Sequence, residues 1–118
     1  MHSETDAATA LLQLKGRDHF AGQPGTLYTG VQDRRERAAL NARFDRALAA
    51  LAAAVAPDAP VSTYLTIIDA QINEFVREDL DTEDAEQVAS CFEQAMDCLG
   101  IESSGGILNR WLYGFDVG

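Results

Sequence analysis

A chain of 118 residues with 47% hydrophobic content can bury one real core without staples, which excludes a disordered acidic tail. Its net charge of −10 sits in the second half: residues 1–60 carry 7 acids and 7 bases, whereas residues 61–118 carry 12 acids against only Arg77 and Arg110. Such a surface repels nucleic acid and anionic membrane and attracts cations or a basic protein surface.

One domain over residues 1–118 is the expectation at this length. The longest purely apolar run, Ala47 to Ala56, is too short and too rich in alanine to span a bilayer. The polar, acidic start Met1-His2-Ser3-Glu4-Thr5-Asp6 lacks the basic-then-apolar order of a signal peptide. A soluble cytoplasmic protein is expected.

Residues 4–14 form the first predicted helix, with Leu11, Leu12 and Leu14 as its apolar side and Gly16 as its stop. Residues 16–32 read as a loop punctuated by Gly16, Gly22, Pro24, Gly25 and Gly30, with a turn at Pro24-Gly25. Phe20, Leu27, Tyr28 and Val31 are spaced through it, so the loop is expected to pack onto the helices and be ordered.

Asp33 opens the second helix as its cap, with Glu36 placed to reach back as in a capping box. Leu40, Phe44, Leu48, Leu51 and Val55 recur at helical spacing and form one face. Arg34, Arg35, Arg37, Arg43 and Arg46 lie on its other sides, where they could bind an anion or pair with the acidic helices. Pro57 and Pro60 end it.

Ser62 is the expected cap of a third, central helix whose buried stripe is Leu65, Ile68, Ile72, Phe75 and Val76, broadened by Tyr64 and Ile67. Asp81 or Thr82 caps the fourth, and Glu83, Asp84 and Glu86 occupy its first turn, where the helix dipole favours negative charge. Val88, Phe92, Ala95, Met96 and Leu99 make its inner face, with Cys91 and Cys98 on the flanks, and Gly100 is its left-handed stop. Ser103 or Ser104 then caps a short closing helix carrying Ile107, Leu108, Trp111 and Leu112. Gly114 ends it, and Tyr113 and Phe115 can fold back on the bundle. The expected fold is all-α: a compact bundle of four to five helices with an ordered N-terminal Gly/Pro loop.

Motifs for chemistry are thin. Asp79 to Glu83 resembles the start of a calcium loop, but the sixth and twelfth positions are Asp84 and Ser90 in place of Gly and a carboxylate. His2 and His19 have no ligand-spaced partner, so zinc and di-iron are not expected. A Mg²⁺ site built from carboxylates alone leaves little sequence signature and stays open. Cys91 and Cys98 lie two helical turns apart, about 10.5 Å, too far for a disulfide within one helix. Two free thiols fit a reducing compartment. Acids beside them raise a thiol pKa, which argues against nucleophiles. Ser103-Ser104-Gly105-Gly106 could cradle an anion, but it lacks the lysine of a P-loop and follows Glu102, so a helix cap is the better account. Trp111, Tyr113 and Phe115 could form a surface anchor; a core role suits the single Trp better. No catalytic residue, metal ligand or cofactor is assigned.

The segments Leu80-Asp81-Thr82-Glu83-Asp84, Cys91-Phe92-Glu93, Met96-Asp97 and Gly100 to Phe115 (GIESSGGILNRWLYGF) resemble a family of small bacterial proteins catalogued as a domain of unknown function. Leu27-Tyr28-Thr29-Gly30-Val31 before an Arg-rich helix is similar to that family's front end. The resemblance covers nearly the whole chain and implies a free-standing helical domain with no assigned activity.

Two functions fit these features. The preferred one is a non-enzymatic acidic binding protein, such as an immunity protein or antitoxin, that blocks a basic toxin or nuclease surface. Its partner-binding rim would be Glu74, Glu78, Asp79, Asp81, Glu83, Asp84 and Glu86, extended by Glu93, Asp97 and Glu102. The alternative is a small enzyme or ligand-binding domain with a pocket between the N-terminal loop and the Trp111 helix, lined by Tyr28, Arg34 and Asn109. Self-association through an exposed apolar helix face is a third possibility.

Overall fold

The computed structural model describes residues 4–22 and 25–114. Pro24 of the expected turn, Phe115 of the expected closing segment and His2 lie outside the described residues. Among the described residues five helices run in order: α1 (Glu4–Leu14), α2 (Arg34–Ala54), α3 (Val61–Ile72), α4 (Thr82–Leu99) and α5 (Ile107–Tyr113), with one 3-10 turn at Arg77–Asp79 between α3 and α4. The described residues contain no β-strand, only an isolated antiparallel bridge between Ala21 and Gly30. The chain is an all-α globule.

Local chemistry explains most of the boundaries. Asp33 caps α2 by accepting hydrogen bonds from the amides of Arg35 and Glu36. Asp81 does the same for α4 through the Asp84 amide, so this acidic run is a helix start and not a calcium loop. Gly100 closes α4 in the left-handed conformation, with the Ile101 amide donating back to the Met96 carbonyl. The Ser104 hydroxyl accepts the Leu108 amide at 3.3 Å, although Gly106 is the residue that flanks α5.

Two expectations about α3 need correction. Its flanking residue is Pro60 and not Ser62, because an extended proline needs no amide partner and sets the entry backbone directly. The helix also stops at Ile72, so Phe75 and Val76 belong to the connection; Phe75 is buried and Val76 is 50% exposed. The most buried helix is therefore α4, with seven buried residues against three in α3.

A row of aromatic rings organises the core. His19 meets Phe44 edge-on at 4.8 Å, Phe44 meets Phe92 at 5.4 Å, and Phe92 meets Phe75 at 5.9 Å. Each pair in this geometry adds about 0.5–1.5 kcal/mol beyond area burial. The row links the N-terminal loop, α2, α4 and the α3–α4 connection.

Helix α5 closes the bundle against α3 and α4. Trp111 is buried, and its indole N–H donates to the Phe75 carbonyl at 3.0 Å, which makes it a core residue. Arg77 braces the same corner: its Nε donates to the Leu112 carbonyl at 2.9 Å and its Nη1 to the Leu80 carbonyl at 3.0 Å. One of the two bases in the acidic half thus serves the fold.

Candidate functional site

The loop between α1 and α2 is shaped by contacts on both flanks. Against α2, Asn41 Oδ1 accepts the His19 amide at 2.9 Å and Asn41 Nδ2 donates to Asp18 Oδ1 at 2.9 Å. Arg37 pairs with Asp18 at 3.3 Å and donates to the Val31 carbonyl at 3.2 Å. The buried His19 ring donates from Nε2 to the Leu14 carbonyl at 2.8 Å, since a carbonyl can only accept. The α2 arginines therefore do not answer the acidic helices: among the described residues, no ion pair joins them to α3 or α4.

Against α4, two bonds hold the loop. Gln87 Nε2 donates to the His19 carbonyl at 2.8 Å, and the Tyr28 hydroxyl donates to Asp84 Oδ1 at 2.8 Å. Burial is the main cause that pushes the Tyr28 phenol above its ordinary value, and its bond to Asp84 adds to this. Burial also raises Asp84, opposed by the Tyr28 bond and reinforced by neighbouring Asp81. The phenol stays protonated and the pair is a tether.

Beside this tether lies a hollow of about 390 Å³ lined by Leu27, Tyr28, Glu83, Glu86, Gln87 and Ser90. The four α4 residues are spaced at 83, 86, 87 and 90, one stripe on the helix's polar face. Leu27 forms the other wall and is 95% exposed. Of the four apolar loop residues expected to pack onto the helices, Phe20 and Val31 are buried and Tyr28 is half-buried, but Leu27 points to solvent.

The predicted acidic rim falls into parts. Glu74, Glu78, Asp79, Asp81, Glu83 and Glu86 are exposed, and Asp84 is half-buried under Tyr28. Glu83 and Glu86 face the Leu27 hollow, whereas Glu78 borders another of about 570 Å³ with Arg77, Arg110, Trp111 and Tyr113. Glu93, Asp97 and Glu102 border a third, smaller one with Asn109. Among the described residues, Tyr28, Arg34 and Asn109, expected to line one pocket between the N-terminal loop and α5, border three separate hollows, because the loop packs on α2 and α4.

Among the described residues, no three His, Cys, Asp or Glu side chains are grouped to hold a metal ion. Cys91 is buried, and burial pushes its thiol from 9.0 up to about 12; Cys98 is half-buried and raised by burial and by Asp97. A disulfide thiol reagent at mildly alkaline pH is expected to label Cys98 first and Cys91 only on unfolding. Equal rates for both in the native protein would contradict the packing of α4. The unfolded Cys91 thiol ionises near 9 and the folded one near 12, so stability falls as pH climbs through that window.

A family model described as a domain of unknown function (DUF4844) matches residues 2–116. The crystal structure of a DUF3571 family protein from Acinetobacter baumannii AYE is similar, with a TM-score of 0.89 and 39% sequence identity. The match covers 94% of this chain and 91% of that one. No curated protein matches.

Proposed function

The chain belongs to the DUF4844 family, a domain of unknown function, and from that premise we propose that it is a non-enzymatic acidic binding protein of the immunity-protein or antitoxin kind. Its partner is a basic protein surface, such as that of a toxin or nuclease, and its place is the cytoplasm. The observation that carries this reading is the exposure of six acids, Glu74, Glu78, Asp79, Asp81, Glu83 and Glu86, along one connection and the first two turns of α4. No base in residues 61–118 other than Arg77 and Arg110 offsets them, and Arg77 is engaged with backbone carbonyls. A field of this sign steers a basic partner and disfavours nucleic acid and anionic membrane. No helix among the described residues is long and apolar enough to cross a membrane.

The test is affinity purification from the source cell's lysate at low and high salt, beside a Glu78→Lys, Glu83→Lys, Glu86→Lys variant. Asp84 is left in place because it holds Tyr28. A basic protein retained by the native chain, and reduced about tenfold or more by the variant and by salt, is the expected result. A partner indifferent to both, or no charge-dependent partner at all, would sink the reading.

A further inference from the structure

We infer that the hollow between Leu27 and the polar stripe of α4 docks a protein segment that presents a Lys or Arg beside an aliphatic or aromatic side chain. This rests on the acidic-binding reading and names the part of the partner that is gripped. Exposure of one leucine is ordinary. What sets Leu27 apart is that it is held out: Tyr28, next in the chain, is tied to Asp84 at 2.8 Å, and Gln87 holds the His19 carbonyl on the same helix face. At the base of the arm, Val31 N–H donates to the Phe20 carbonyl at 2.8 Å across the Ala21–Gly30 bridge. These contacts fix the backbone on either side of the leucine.

The lining specifies the occupant. Leu27 and the Tyr28 ring offer apolar surface, Glu83 and Glu86 offer two carboxylates, and Gln87 and Ser90 offer neutral hydrogen-bonding groups. Among the described residues no base lines the hollow, so an anionic segment meets two carboxylates with no cation to offset them. A purely cationic segment leaves Leu27 wet, and a purely apolar one leaves both glutamates beside desolvated surface. A cation next to an apolar side chain satisfies both walls, with the stem of Lys or Arg able to lie along Leu27. A volume of about 390 Å³ falls in the range of sites that take one or two side chains or a small molecule.

The probe is a fluorescein-labelled amphipathic Leu/Lys peptide, with a matched Lys/Ser peptide as control, followed by anisotropy and by amide NMR shifts. The Leu/Lys peptide is expected to bind in a salt-sensitive way, shifting the amides of Leu27, Gln87 and Ser90 most. Leu27→Ser is expected to weaken it by about tenfold or more, the equivalent of leaving one aliphatic side chain in water. Glu83→Gln with Glu86→Gln is expected to remove most of the salt dependence. All three changes are at exposed positions, so folding is retained. Equal binding of the two peptides with no effect of Leu27→Ser would overturn the inference and leave the acidic-binding reading standing. Shifts centred elsewhere, or none at those amides under saturating peptide, also overturn it. A partner from the lysate that ignores Glu78→Lys, Glu83→Lys, Glu86→Lys removes the reading itself.

Discussion

Phe92→Ala is expected to cost about 3–5 kcal/mol of unfolding free energy. Phe92 is fully buried on α4, the helix that contributes most to the core, and its ring is the only one in the aromatic row that touches two other phenylalanines. Truncation removes both edge contacts and leaves a cavity between α2 and the α3–α4 connection, which the helices can close only in part. A domain of this size commonly has about 5–15 kcal/mol of stability, so the variant would stand near the edge of folding. Urea unfolding followed by helical circular dichroism measures it. The midpoint should fall with little change in slope. A loss below about 1 kcal/mol would mean that the ring does not occupy the centre described. Phe92→Leu should lose clearly less, because most of the cavity is refilled.

Gly30→Ala should open the arm of the N-terminal loop. A Cβ at Gly30 would lie 2.5 Å from the Gly22 amide nitrogen, 2.7 Å from the Ala21 carbonyl carbon and 3.0 Å from the Phe20 carbonyl oxygen. These are backbone atoms, so no side chain can swing aside. The residue also sits at φ +86°, which L side chains avoid. Backbone strain alone costs about 1–3 kcal/mol, and the clash adds to it unless the bridge breaks. The expected result is loss of exchange protection at the Val31 amide, with the arm displaced and the Leu27 wall of the hollow lost with it. Gly105→Ala is the control. It shares a positive φ of 67° but has open space where its Cβ would go, so it should bear only the conformational cost, about 1 kcal/mol. Equal effects at the two glycines would mean the arm is not pinched at its base.

The contrast between these residues shows what a sequence can reveal. Phe92 was legible because α4 repeats its apolar residues at three and four, is capped by Asp81 and stopped by Gly100, and each of those signals is local. The same holds for α2, from Asp33 to its proline-marked end. The α3 boundary was missed because Pro60 and Ser62 both mark helix starts, and only the backbone path decides between them. Leu27 was placed wrongly for a different reason. Four apolar residues in a loop look alike in one dimension, and which of them turns outward depends on Asp84, 56 residues away from Tyr28. The acidic composition pointed to Glu83 and Glu86, but nothing in their spacing revealed that a leucine from the loop stands opposite. Gln87 and Ser90 are not legible because polar residues on a helix's outer stripe carry no signal until something faces them.

The two tethers that hold the loop also set an order of events during synthesis. Gln87 reaches the His19 carbonyl across 68 residues, and Tyr28 reaches Asp84 across 56. By contrast, α2 and α3 pack together across the short link at residues 55–60 and can pair soon after both have left the ribosome. The N-terminal arm is made first and can lean on α2 early, yet its second flank can be fastened only when the start of α4 has emerged. Until then the loop is held only on its α2 side and Tyr28 lacks its Asp84 anchor, so the nascent chain carries its docking arm half-fastened, and the binding surface comes into being only when most of the chain has been translated.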